Sequence, residues 1–575
     1  MQRKIVQRTL PENYKSLPDI PEFLSKIYAA RGVVSADELS LQLKSMASAA
    51  QLKGLDTAVA LLVDVLSVDG RIVIVGDFDA DGATSTTLAY EALRAFGANN
   101  VDYLVPDRFK FGYGLTPEIV DLAAQSNPAL IVTVDNGISS HEGVARAHAL
   151  GIKVIVTDHH LPGDELPDAD AIVNPAQYGC NFPSKNMAGV GVIFYVMSAL
   201  RAYLRTINWF QDKNLVEPNM AAYLDLVALG TVADLVALDF YNRILVEQGM
   251  RRIRAGKARP GILALFEVAG RNYETAVTSD LGFAVGPRLN AAGRLDDMST
   301  GIECLLSRDM LDARQRAQVL NGLNQERKHI EEDMRRDADA AFFQINIDQP
   351  PKAFVLYEEH WHQGVIGILA SRVKEKFHRP VVAFAPESDD PDQINILKGS
   401  ARSIPGLHMR DALDVVAKKY PDVLVKFGGH AMAAGMSIEA SKLNVFEAAF
   451  QEVVESLLSE EDLEAIIYTD GALDPAALTI TNVEQIERAG PWGQKFPEPC
   501  FDAQVRVVQK RVLKEKHLKL VVEFEGGGLF DAIQFSSPYC SEDLTHIRLV
   551  FRPSINEFRG KRSVQLMIDY IEPVD

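Results

Sequence analysis

Short apolar runs recur between residues 71 and 173, reading RIVIVG, VDYLVP, ALIVTV, KVIVT and AIVN, with helical stretches between them. Near-continuous Val/Ile runs of this length are strands buried on both faces, and such strands alternating with helices build a parallel sheet. The pattern predicts a doubly wound α/β domain. A mostly helical part continues to about Leu306. Residues 308–343 contain no proline, one glycine and dense charge, and read as one long connecting helix. A second α/β unit follows from Ala353 (AFVLY, VVAFA) to about Leu458. Beyond the acidic SEEDLEA, the runs VRVVQKRVL, HLKLVVEFEG, HIRLVFRPS and RSVQLMIDYIE alternate between Gly/Pro turns and predict a small antiparallel barrel. At 575 residues the chain exceeds what one core supports, so several domains are expected.

The strand ends carry the chemistry. RIVIVGDFDADG runs from an apolar strand into Asp77, Asp79 and Asp81 and then a glycine. Ligands in open α/β sheets sit at the carboxyl ends of strands, and three carboxylates within five residues repel one another unless cations join them. Any one of these aspartates could also serve as a turn or a helix cap. The pattern repeats, however: ALIVTVDNG ends in Asp135, and KVIVTDHH ends in Asp158, His159 and His160. Three strands of one sheet ending in carboxylate or imidazole clusters are poorly explained as turns. Asp234, in LDLVALGTVADLVAL, reads in isolation as an ordinary helix or loop aspartate. Carboxylates with one or two imidazoles suit Mn²⁺ or Mg²⁺ better than zinc, which prefers thiolate and imidazole, or calcium, which prefers all-oxygen shells; imidazole favours Mn²⁺. Two ions about 3.5–4 Å apart are the usual device for in-line hydrolysis of phosphoesters.

Net charge is −19, which at first argues against a polyanionic partner, but the local field along the binding path matters more than the average. Residues 506–519 hold six Lys/Arg against one acid, and residues 548–562 hold five against one. Two basic stretches interleaved with apolar strand positions point to a single-strand grip on the terminal barrel. No run approaches the ~18 apolar residues of a membrane span, and no apolar leader follows the basic start. A cytoplasmic protein with no membrane partner is therefore expected. Cys180, Cys304, Cys500 and Cys540 lie far apart and suggest neither a zinc site nor a disulfide framework.

DFDADG, VDNG, TDHH and VADLV occur in that order and together resemble the four motifs of the DHH phosphoesterase family. GPRLNAAGRL, WHQGVIGILASRV and FGGHAMAAGMSI extend the likeness to the branch of single-strand-specific exonucleases, with its DHH-associated second domain and an OB-fold after it. The resemblance covers the chain from about residue 50. It implies an N-terminal segment (1–50), a DHH catalytic domain (51–306), a connecting helix (307–344), a DHH-associated substrate-binding domain (345–460) and an OB-fold domain (461–575).

It further implies a 5′-to-3′ exonuclease on single-stranded DNA that releases mononucleotides in recombination and repair, with a single-strand-binding protein and a helicase as candidate partners. By motif, Asp79, Asp81, Asp135, His159 and Asp234 would be metal ligands, with Asp135 bridging two ions and Asp77 auxiliary. His160 would act on the scissile phosphate or leaving oxygen, and Asp158 would orient His159. Arg288, Asn290 and Arg294 would hold phosphate oxygens. In the second domain, Gly428, Gly429 and His430 would let the DNA backbone approach, and Arg372 and Arg402 would add positive charge. The barrel is expected to grip DNA without contributing to the chemical step, and to be removable by ending the chain near Glu461. Two rivals remain: a family member acting on small phosphodiesters, and a DNA-binding scaffold without activity, which the intact motifs disfavour.

Overall fold

In the computed structural model, residues 3–107, 111, 113–342, 351–388, 395–558 and 560–574 are described. The chain forms two compact units, Arg8–Asn324 with Asp470–Asp575, and Met1–Gln7 with Gln325–Thr469.

The first unit is organised by a five-stranded sheet of β1 (Ile72–Val75), β2 (Val101–Leu104), β3 (Leu130–Val134), β4 (Lys153–Thr157) and β5 (Ala171–Val173), in the order β2-β1-β3-β4-β5 with every pairing parallel. β1 and β3 are buried along their whole length, as their unbroken Val/Ile composition requires. Helices cover both faces. Ile72, Ile74, Val132 and Ile155 share a core with α1 (Leu55–Ser67), α2 (Ala80–Ala95), α5 (Gly189–Thr206) and α6 (Leu224–Ala233). Val73, Val75, Ile131 and Val154 pack against α3 (Pro117–Ala124) and α4 (His141–Ala149). The strand order reverses direction between β1 and β3, and the loops that leave their carboxyl ends part there, which makes this crevice the place for a ligand.

Beyond a helical region that includes α7 (Gly286–Leu295), the connecting helix α8 spans Met310–Phe342. Phe343, where the sequence pattern ends the helix, lies outside the described residues. Ala313, Ala317 and Leu320 of α8 join the core of the first unit, whereas Met334 and Ala338 pack with Phe354 and Trp361 of the second.

The second unit holds a mixed sheet of β6 (Phe354–Tyr357), β7 (Val381–Pro386), β8 (Ile396–Arg402), β9 (Lys426–Gly429) and β10 (Ala433–Glu439), in the order β9-β10-β8-β7-β6. Only β6 and β7 pair in parallel. α9 (Ile366–Phe377) lies beside β7 and β8.

The terminal barrel is closed by β11 (Phe501–Leu513), β12 (His517–Phe524), β13 (Leu529–Gln534), β14 (His546–Phe558) and β15 (Lys561–Pro573). It is not wholly antiparallel as the alternation predicts: β13 and β15 pair in parallel, from Asp531 with Gln565 to Ile533 with Met567. Alternation fixes which face a residue occupies but not the direction of its neighbour. Nor is the barrel a separable appendage. Barrel residues Leu518, Leu520 and Phe551 belong to the same continuous core as the parallel sheet. Arg31 and Asp470 form a buried ion pair at 2.7 Å, and Tyr28, Trp492 and Phe496 stack with ring centroids 5.2–6.4 Å apart. Ending the chain near Glu461 would expose this core, so the truncation is not a clean test of grip. Among the described residues, no helix is long and apolar enough to cross a membrane.

Candidate metal centre

β1 leads through Gly76 into Asp77, Phe78 and Asp79, and α2 begins at Ala80. Asp79 caps α2, its Oδ1 accepting the N–H groups of Asp81 (2.9 Å) and Gly82 (3.0 Å). Gly82 is a close-approach glycine, since a Cβ there would lie 2.3 Å from the Asp77 carbonyl oxygen. Asp81, fully buried in the first turn, accepts the N–H groups of Gly189 (2.6 Å) and Val190 (2.9 Å) on its two oxygens. It therefore sits at the positive ends of both α2 and α5.

Asp135 follows β3 with φ +63, a left-handed conformation unusual for a residue bearing a side chain. Its neighbour Asn136 latches the crevice, donating to Val75 O (3.0 Å) on β1 and Val134 O (2.9 Å) on β3. Asp158 follows β4. Its Oδ1 accepts from His159 N–H (2.7 Å) and lies 2.7 Å from Nδ1 of His160, while Oδ2 accepts from Ile138 N–H (2.9 Å). The ring that Asp158 hydrogen-bonds is that of His160, where the motif reading has it orient His159; it also accepts the His159 backbone N–H. Asp234 closes α6 at its C-cap.

His159 Nε2 lies 3.1 Å from Asp135 Oδ1, 3.5 Å from Asp234 Oδ2 and 4.0 Å from Asp81 Oδ2. Ligand atoms converge within 4.8 Å in three overlapping sets: Asp77, Asp79 and Asp135; Asp81, His159 and Asp234; and Asp135, His159 and His160. Asp77 therefore stands with the proposed ligands, and Asp135 belongs to two sets that also contain Asp79 and His159. Asp135 Oδ1 is buried yet accepts no hydrogen bond, an arrangement that costs free energy unless a cation meets it. A buried oxygen-rich donor set with imidazole fits Mn²⁺ or Mg²⁺.

Electrostatics divide the site in two. Burial and the Asp79 charge push the Asp81 carboxyl up to about 7. Burial and the neighbouring aspartates raise Asp135 and Asp234 well above the ordinary range. Next to them, burial opposes ionisation of Asp158, but the hydrogen bond and charge of His160 prevail and hold it at about 2. Burial likewise opposes the His160 cation, and Asp158 prevails to raise it to about 9.

Sequence reasoning passed over the residues that make room for this cluster. A Cβ on Gly189 would lie 2.6 Å from Asp135 Cβ and Oδ1, one on Gly230 2.7 Å from Asp81 Oδ1, and one on Gly293 1.8 Å from Phe78 O. Glycine inside a helix costs about 1 kcal/mol against alanine, so its presence in the GVGVIF, VALGTV and NAAGRL runs was the available signal. Tyr113 was also missed: its hydroxyl donates to Asp135 O (3.2 Å) and lies 3.3 Å from either ring nitrogen of His160.

The expected phosphate-binding residues fall into two groups. On α7, Asn290 Oδ1 accepts the Ala80 N–H at 2.7 Å and so pins the acidic loop. Arg288 is half-buried and donates to Asn321 Oδ1 (3.0 Å) and Ala284 O (2.5 Å); Arg294 is part-exposed on the same helix. The other group lies in the second unit. Arg402 on β8 pairs in register with Ala433, whose carbonyl accepts the His430 N–H (2.8 Å). Gly429 has φ +144, and exposed Gly428 pairs with exposed Gly435, leaving a strip of backbone with open space where side chains would stand. Arg372 on α9 pairs with Glu331 (3.1 Å) and Glu375 (3.4 Å).

Residues 71–231 match the family model described as DHH family, N-terminal domain, which defines the class of the sheet and its acidic crevice. Residues 351–456 match the DHHA1 domain and residues 469–570 the RecJ OB domain. The chain is 52% identical to the single-stranded-DNA-specific exonuclease RecJ of Escherichia coli, with 100% of each chain covered. It is similar to the crystal structure of RecJ in complex with Mn²⁺ from Thermus thermophilus (TM-score 0.80, 27% identity, 100% of this chain and 79% of that one) and to that with Mg²⁺ (TM-score 0.75, 26% identity, 100% and 78%). The chain belongs to the RecJ family.

Proposed function

We infer that the chain is a metal-dependent exonuclease acting on single-stranded DNA in recombination and repair. The observation that carries this reading is the convergence of Asp77, Asp79, Asp81, Asp135, His159 and Asp234 at the crevice between β1 and β3, in a chain similar throughout to single-stranded-DNA-specific exonucleases. Asp79, Asp81, Asp135, His159 and Asp234 would hold two divalent ions, with Asp77 beside them. Such a pair supplies an activated water and neutralises charge on the phosphoryl oxygens.

The remaining roles belong to the chain's own groups. Asp158 anchors Nδ1 of His160, which directs the other ring nitrogen to hold a proton for the phosphate or the leaving oxygen. Asn290 and Gly293 keep the acidic loop against α7. Arg288 and Arg294, together with Arg372, Arg402, Gly428, Gly429 and His430, bind the DNA backbone. The proposed domains are residues 1–50, 51–306 (catalytic), 307–344, 345–460 and 461–575. Removal from the 5′ end, release of mononucleotides, a cytoplasmic location, and partnership with a single-strand-binding protein and a helicase complete the proposal and rest on the family resemblance.

Digestion of 5′- and 3′-labelled single strands with Mn²⁺, with Mg²⁺ and with EDTA tests it. The expected result is metal-dependent release of mononucleotides from the 5′ label first. Cleavage only of very short oligonucleotides would favour a small-substrate enzyme, and binding without cleavage a scaffold.

A further inference from the structure

α6 brings one carboxylate to the metal centre, Asp234 at its C-cap. Every residue from Leu224 to Thr231 is buried, and Asp225 is the only charged one among them. Apolar burial is non-directional, so it holds such a helix in the core without setting its slide or rotation closely. The helix dipole gives no help, because it repels a carboxylate at the C-terminus. α6 is fastened at its other end instead. Arg259, whose side chain is 10% exposed, donates from Nε to Asp225 Oδ2 (3.2 Å) and from Nη2 to Oδ1 (3.4 Å). Its backbone N–H also donates to Oδ2 (2.8 Å). Its Nη1 reaches Glu91 Oε2 on α2 (3.0 Å) and the Leu305 carbonyl (3.3 Å).

α2 and α6 run in opposite directions and are joined at both ends. At the metal end Gly230 lies so close to α2 that a Cβ there would be 2.3 Å from Thr84 Oγ1 and 2.7 Å from Asp81 Oδ1. At the far end Arg259 ties Asp225 to Glu91. Glu91 follows Asp81 by ten residues and Asp225 precedes Asp234 by nine, roughly 15 Å of helix at ~1.5 Å per residue. Buried ion pairs contribute little net stability against apolar replacements, and their best-attested use is to set register.

We propose that Arg259 is a positioning residue of the metal centre: by clamping Asp225 of α6 to Glu91 of α2, it sets where α6 delivers Asp234. The ion that depends on it is the one shared by Asp81, His159 and Asp234. The set of Asp77, Asp79 and Asp135 should be independent of it, because that loop is pinned by Asn290. The inference rests on the two-ion reading proposed above.

The test removes both charges together, as Arg259→Met with Asp225→Asn, so that no unpaired charge is left buried and the asparagine oxygen still accepts the backbone N–H of residue 259. Arg259→Lys keeps the charge but loses the planar fork. Arg31→Met with Asp470→Asn is the control, a second buried ion pair whose arginine donates to neither α2 nor α6. Mn²⁺ binding is followed by titration calorimetry and by the EPR signal of the spin-coupled pair, with melting as the check of fold. In the Arg259 double variant one ion should bind within about twofold of wild type, the scatter of independent sites. The other should weaken by at least about tenfold, the lower end of the ~10–100-fold typical of residues that support a ligand. The coupled signal and nucleotide release should then return with excess Mn²⁺ at unchanged KM for the strand. Arg259→Lys should fall between, and the control should melt lower while keeping both affinities. Wild-type affinity for both ions, equal weakening of both, or the same loss in the control overturns the proposal. If the double variant fails the melting check, Arg259→Lys decides, and unchanged binding of both ions there overturns it. Failure of wild type to bind two ions would overturn the two-ion reading itself; a result confined to the variants bears on Arg259 alone.

Discussion

The metal centre and the terminal barrel handle charge in opposite ways. At the centre, Asp77, Asp79, Asp81, Asp135 and Asp234 crowd together with His159 and His160 as the only basic side chains among their ligand sets. In the barrel, cations that look like a DNA-binding surface in the linear sequence are largely matched from within. Arg506 binds Glu523 (2.9 Å), Lys519 Asp531 (3.1 Å), Arg548 Asp502 (2.7 Å), Arg552 both Glu498 and Asp569 (2.8 Å each), and Arg562 Glu484 (2.6 Å). Lys510 donates to the Glu542 carbonyl. Among the described residues, Arg511, Lys514 and Lys516, around the β11–β12 turn, have no carboxylate partner. Unmatched charge therefore sets two places apart, the crowded carboxylates of the crevice and the cations of the β11–β12 turn; under the proposed function the first would hold metal ions and the second would meet phosphates.

The largest expected effect comes from breaking the acidic side. Asp135→Ala should lower hydrolysis beyond the ~10–100-fold typical of residues that only support a ligand, while the protein stays folded and still binds single strands. Wild-type turnover in that variant would remove Asp135 from the ligand set. Gly189→Ala, which sets a methyl group 2.6 Å from the same carboxylate, should lose metal affinity without altering any charged group, as titration with Mn²⁺ would register.

Within the centre, the two histidines should respond differently. Excess Mn²⁺ should partly rescue His159→Ala by mass action and leave His160→Ala slow. Asp158→Asn should resemble the His160 variant, with a loss of about 10–100-fold, because its carboxylate holds that ring. Equal rescue of both histidine variants would undo the division of labour.

A smaller effect should appear in stability. Folding raises the Asp81 carboxyl from its ordinary 3.8 to about 7, so between about pH 4 and 7 the folded metal-free protein holds more protons than the unfolded chain. Its stability should therefore fall as pH rises through that window, and Asp135 and Asp234 shift in the same direction. Melting in EDTA should be higher at pH 5.5 than at pH 8, and Mn²⁺ should flatten the difference. A metal-free melting temperature that rises across this range would contradict the crowding of charge.

The smallest effect is the barrel's. Replacing Arg511, Lys514 and Lys516 together with alanine should reduce the salt slope of log K for single strands by about 2, at ~0.7 per lost phosphate contact. Arg506→Ala, whose partner is internal, should leave the slope nearly unchanged. The reverse ranking would place the grip on the strand face instead of the hairpin tip.

Much of this was legible in the linear sequence because it depends on local periodicity. Val/Ile runs set the five parallel strands, and the residue after each run set which carboxylates reach the crevice, since a parallel sheet brings strand ends to one edge. Asp234 needed the family motif, because nothing local distinguishes an aspartate closing a helix from any other. Pairings across long separations were not legible. That Asp158 holds His160, that Asn290 pins Ala80 210 residues away, that β13 runs parallel to β15, and that basic strands meet acids from other strands depend on register and packing. Sequence by itself determined the class of sheet, which carboxylates and imidazoles end its strands, and the kind of ion such a set suits. Only the tertiary structure decided which charges remain unmatched and that the barrel shares one core with the catalytic sheet, because a side chain's partner is set by where the folded backbone carries it.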